Sequence, residues 1–203
     1  MENQEYRKKV FFKAVGITLA VIGVLGIVYG LALWKKPDPL PKKFTSGYRK
    51  VAKESGEIAD IVNSIASNIE EINDMDVNNK TDQALSLIDD TKKKSQEAHD
   101  KSVALIDDLE SITKVALEIE SDKQKGNVLE AIRAEVMLVK ELIGYTSNID
   151  DFLKSLSIAI VSDNKSDRLM VERNLRAVNV KRQTINNLNS MFLAKVEQLG
   201  VFD

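Results

Sequence analysis

The chain has no cysteine, one histidine, three prolines and nine glycines among its 203 residues. Without cysteine there is no disulfide framework, no thiolate metal ligand and no cysteine nucleophile. A single histidine all but excludes histidine-based metal sites and Ser-His catalysis. So few prolines and glycines exclude collagen-like, elastic or loop-dominated architectures. The chain is 30% charged and 43% hydrophobic, which fits neither a disordered polyelectrolyte nor a many-span transporter.

Among the features that are present, one hydrophobic run dominates. Residues 14–34 are 21 consecutive positions without a charge. As a helix at about 1.5 Å per residue they reach roughly 32 Å, the thickness of a bilayer's hydrocarbon core. We therefore expect a transmembrane helix over residues 10–34, preceded by a basic tail of residues 1–9. Lys13 at one end and Trp34, Lys35 and Lys36 at the other are the expected interface anchors. A cleaved signal peptide is the competing reading, with Arg7, Lys8 and Lys9 as its basic leader and 30–32 (Gly-Leu-Ala) as its cleavage site. The run is longer than the usual apolar core of about 7–15 residues, which favours an uncleaved anchor. Both flanks are basic, so charge does not fix the side on which the rest of the chain lies.

Small residues recur inside the run. Gly16, Gly23 and Gly30 are seven apart, and Ala20 and Gly26 fall on or beside the same stripe. The pairs Gly16–Ala20 and Gly26–Gly30 have the small-xxx-small spacing that lets two membrane helices approach closely. These five residues form the expected helix–helix seam, with a second copy or another subunit as partner.

All three prolines (Pro37, Pro39 and Pro41) fall in residues 35–43, KKPDPLPKK. That segment reads as a stiff, extended tether whose lysines are drawn to anionic headgroups if it faces the cytoplasm. Charge divides after it: residues 1–50 carry a net +7 and residues 51–203 a net −9. An acidic distal part argues against nucleic acid as a partner. The expected partners are the lipid bilayer and protein, either another subunit or a second copy.

Residues 44–203 show helical periodicity with no convincing strand. Apolar residues repeat in threes and fours through Val51, Ile58, Val62, Ile65, Ile69 and Ile72, and again from Ile88 to Ile119. A third series runs Leu129, Ile132, Val136, Val139 and Ile143, slips register near Thr146, and resumes at Ile149, Leu153, Leu156 and Ile160. A fourth includes Leu175, Val178, Ile185, Leu188, Phe192, Val196 and Leu199. Thr81 or Asp82 is the expected N-cap of the second helix. Gly126 in C′ position closes it, and a capping box of Asn127 and Glu130 opens the third. The expectation is an all-α chain: a single N-terminal transmembrane helix, then an elongated up-down four-helix bundle with coiled-coil character. Its helices would span about residues 45–74, 81–124, 128–161 and 167–199. Thr91, Ser95, Ala98 and Ser102 occupy consecutive core positions of the second helix. They signal either unusually close packing or a stretch open to a partner, and are the candidate partner surface.

Chemistry has little to rest on. His99 stands two residues after Glu97, about 200° round a helix, so the Glu-x-x-His spacing of bundle metal sites is not met, and a solvated surface is expected for it. The acidic pairs 70–71, 89–90, 107–108 and 150–151 diverge by about 100°, so none forms a shared carboxylate site, and Asp90 is expected to pair with Lys94. There is no phosphate-binding glycine loop and no nucleophile elbow. No catalytic, cofactor or metal residue is assigned. The sequence favours a non-enzymatic, single-pass interaction or scaffold protein of the cell membrane. A membrane-anchored bundle sensor and an envelope-spanning or phage-type lysis rod are the alternatives.

Overall fold

The computed structural model describes residues 40–162 and 164–198. The expected transmembrane helix with its glycine seam and anchors, and all but the end of the tether, lie outside the described residues. Among the described residues no helix is long and apolar enough to cross a membrane.

Four helices follow in chain order: α1 Lys42–Val77, α2 Thr81–Ala116, α3 Asp122–Ser162 and α4 Lys165–Gln198. Among the described residues there is no strand. Each helix packs extensively on the next, giving the up-and-down four-helix bundle that the periodicity predicts. The 41 residues of α3 extend about 60 Å. The α1–α2 and α3–α4 turns share one end of the bundle, called distal below. The start of α1 and the α2–α3 turn share the proximal end.

Each helix forms because its apolar residues fall on one stripe. In α1, Phe44, Tyr48, Val51, Ile58, Val62, Ile65, Ile69 and Ile72 are buried with alternating steps of three and four, broken only by Ser55. Ala52, Ala59 and Ala66 widen that stripe at heptad spacing. The helix starts at Lys42, earlier than expected. Pro41 precedes its first turn, its carbonyl accepting from the Thr45 N–H (3.0 Å), and Leu40 packs against the core. Proline is favourable there because a helix start has no use for its missing N–H.

The turns explain the remaining boundaries. α1 ends in a Schellman motif: the Lys80 N–H bonds the Met75 carbonyl (2.9 Å) and the Asn79 N–H that of Asp76 (3.0 Å). Asn79 supplies the left-handed residue at φ 58°, a conformation asparagine tolerates better than other residues with a Cβ. Lys80, not Thr81 or Asp82, takes the N-cap position of α2, without a side-chain cap. α2 stops at Ala116, well short of 124. The Glu118 and Ile119 N–H groups turn back to Val115 and Ala116, and Ile119 is buried as the plug of the turn. The apolar stripe thus continues through a loop, which is why periodicity alone overran it. Ser121 begins α3, its hydroxyl accepting from the Gln124 N–H, with Gln124 where a capping box places it. Gly126 and Asn127 are therefore inside a helix, and the expected start at 128 moves to Asp122. Asn164 caps α4, its side-chain oxygen accepting from the Ser166 N–H at 2.7 Å, so that helix starts at Lys165 rather than 167.

Candidate functional site

Thr91, Ser95, Ala98 and Ser102 are all 2% exposed or less. They lie in the core between α2 and its neighbours, so they present no surface to a partner in this structure. In this structure the bundle encloses them. Every hydroxyl among them has a hydrogen-bond partner, as burial requires. Thr91 donates to the Leu87 carbonyl (2.6 Å) and accepts from Asn68 (3.0 Å). Ser102 donates to the Ala98 carbonyl at 2.7 Å. Ser95 reaches across to α3, donating to the Thr146 carbonyl at 3.1 Å. His99 is half-buried on the same seam, its Nδ1 3.2 Å from the Thr146 hydroxyl, instead of solvated.

The residue that sequence reasoning missed is Glu135. The buried stripe of α3 runs Val128, Ile132, Glu135, Val139, Leu142, Thr146, Ile149, Leu153 and Leu156, an unbroken alternation of four and three. There is no register slip. Reading only apolar residues shifts the first half by one, onto Leu129, Val136 and Ile143, because a glutamate and a threonine occupy core positions. Leu129, Val136 and Ile143 are partly buried on the flank. Glu135 is 3% exposed and accepts a hydrogen bond from the Ser55 hydroxyl of α1 at 3.1 Å. Burial pushes its carboxyl up to about 7, the Ser55 bond opposing. Tyr48, also buried, has its phenol held well above the ordinary range by burial and, secondarily, by the charge of Glu135. Tyr145 is pushed up to about 12 by burial, against the attraction of Arg182.

On the outside, α1 and α2 are laced by Lys50 with Asp108 (2.7 Å) and Lys101 with Glu57 (2.8 Å). Glu54 joins the first pair. Burial and its hydrogen bond to Asp108 raise the Glu54 carboxyl, while the bond from Lys50 lowers that of Asp108. Asp90 pairs with Lys93, and Lys94 instead donates to Ser64 across the seam at 2.6 Å. Among the described residues no three histidine or acidic side chains converge on a point that would hold a metal ion.

At the distal end α2 and α3 enclose a shallow groove of about 510 Å³, lined by Leu85, Asp89, Ser157, Ile158, Val161 and Ser162. Ile158 and Val161 are exposed there, as are Leu169 and Met170 on α4 just beyond the turn. Comparison with family models, with curated proteins and with solved structures finds no match to this chain.

Proposed function

We propose that the chain is a single-pass, membrane-anchored helical scaffold, a non-catalytic subunit that holds a rod-like bundle at one face of a membrane for protein partners. The observation that carries this reading is the uncharged run of residues 14–34, flanked by lysines and followed at once by a proline-interrupted basic segment. A bundle whose buried hydroxyls are engaged in packing, and whose open groove is lined by both apolar and polar side chains, is suited to contact more than to chemistry. Gly16, Ala20, Gly23, Gly26 and Gly30 are the proposed contact with another membrane helix.

Two measurements test it. In membranes washed at alkaline pH the full chain is expected to stay with the bilayer, and its appearance in the wash would refute the anchor. Because the chain lacks cysteine, a Gly23→Cys variant carries a single thiol. Oxidation in the membrane is expected to yield a disulfide-linked dimer or a defined mixed product. Absence of any product at Gly23 while control positions on the opposite helix face behave identically would remove the seam.

A further inference from the structure

We propose that Glu135 is a pH-sensitive latch in the bundle core: protonated, it is neutral and lets α3 and α1 close over it, and ionised, it draws in water and drives those helices apart.

The geometry isolates this carboxyl from any compensating charge. From α1 it is faced by Ser55, the donor at 3.1 Å, and by Tyr48, a phenol that is neutral over the range concerned. The charged groups of α1 near this level, Lys50, Glu54 and Glu57, are engaged on the outer α1–α2 seam. On α2, the bond from Ser95 to the Thr146 carbonyl sets an antiparallel register that brings residues near 106 beside Glu135, where Leu105 and Leu109 are buried, Asp107 is exposed and Asp108 is paired with Lys50. On α4, the contacts of Glu141 with Lys181 and of the Asp151 carbonyl with Asn174 set an antiparallel register. Continued, it places residues 187–190 beside Glu135. Residues 183–191 carry no charge at all. The nearest cation before them, Arg182, acts on Tyr145, three turns of α3 further on. On α3 itself Arg133 and Lys140 are exposed.

A buried carboxylate without a paired cation is strongly disfavoured, and it escapes that cost by losing its proton only when water reaches it. Because α1 and α3 are long rigid rods, hydrating Glu135 means separating them at this layer. Protonation has the opposite effect. It removes the charge that burial disfavours. The proton that leaves goes to solvent, and no other group need change.

The direction with pH follows from linkage. In the unfolded chain the carboxyl ionises near its ordinary 4.5, and in the closed bundle near 7. The advantage it gives the closed state is therefore complete below about 4.5, declines as pH rises through about 7, and is constant above that.

Amide hydrogen exchange of the full chain in detergent, corrected for intrinsic rates, measures this opening. Protection around Ser55 and Glu135 is expected to fall on the order of 10–100-fold between about pH 5 and about pH 8. Glu135→Gln, the isostere of the protonated acid, is expected to abolish that fall, and Glu54→Gln to leave it intact. Ser55→Ala, which removes the bond that favours ionisation, is expected to move the midpoint to higher pH. Equal protection at both pH values in the native chain would overturn the proposal, and so would an undiminished fall in Glu135→Gln. If that variant does not fold, Ser55→Ala decides, and a midpoint unmoved from the native one is the refuting result.

Discussion

At the scale of single residues the bundle distinguishes positions that look alike in the sequence. Gly47 and Gly126 are both helical glycines, and alanine is better in a helix interior by about 1 kcal/mol. A Cβ on Gly47, however, would stand 2.7 Å from the Ile112 Cγ2, and Ile112 is buried on the facing helix. Overpacking of that kind costs about 1–3 kcal/mol, so Gly47→Ala is expected to lower stability despite the gain in propensity. Around Gly126 nothing lies within 4 Å of the same added atom. Gly126→Ala is expected to raise stability by about 0.5–1 kcal/mol, and thermal unfolding of the two variants side by side checks the opposite signs. Ser102 tests the reading of the α2 polar stretch in the same way. It is fully buried, so Ser102→Leu is expected to cost about 1–3 kcal/mol through overpacking. An unchanged unfolding midpoint would mean that there is free space beside it.

At the scale of helices, what the sequence makes legible is the period, and what it hides is the phase and the stops. The stripe of α1 could be read directly because only Ser55 interrupts a run of valines and isoleucines. That of α3 could not, because Glu135 and Thr146 sit where apolar residues were sought, and a polar residue at a core position is invisible to a hydrophobicity pattern. The end of α2 is hidden in the sequence because Ile119 keeps the period while already in the turn, and because Ser121–Gln124 and Asn127–Glu130 both have the spacing of a helix start. Thr91, Ser95, Ala98 and Ser102 keep the core period, but the period alone does not say that neighbouring helices close over them. A further asymmetry concerns α4. Asn174 and Lys181 face α3, to which they are bonded, while Asn179 and Asn186, five residues on in each case, lie about 140° away on the other flank. The corresponding flank of α1, turned from α2, carries Ala52, Ala59, Ala66 and Asn73. The amide oxygens of Asn73, Asn179 and Asn186 are buried without hydrogen-bond partners. Each such unsatisfied amide costs about 1–3 kcal/mol of desolvation. Asn186→Leu, close in volume and without polar atoms, is expected to stabilise the bundle by about 1 kcal/mol, seen as a rise in the unfolding midpoint. A fall would show that the amide is bonded through water in solution.

At the scale of the whole molecule, the bundle core and the basic N-terminal part differ in composition. The exposed ion pairs between α1 and α2 contribute about 0–1 kcal/mol each, so they fix register more than they hold the helices together. Cohesion comes from the apolar stripe, and that stripe is contributed by all four helices, from Phe44 on α1 to Ile185 on α4. Residues 14–34, by contrast, are 21 positions without a charge, a pattern with no charged stripe of the kind that borders the apolar stripe of each bundle helix. The two parts meet at Pro41, where the helix begins without needing a turn before it. Such a division predicts that residues 40–203, produced alone, fold without detergent into a strongly helical species with a cooperative thermal transition. In sedimentation this species is expected to show the high frictional ratio of a particle about 60 Å long. Circular dichroism and sedimentation velocity together provide the check. A fragment that is helical only in the presence of detergent or of residues 1–39 would mean that the N-terminal part is a structural component of the bundle.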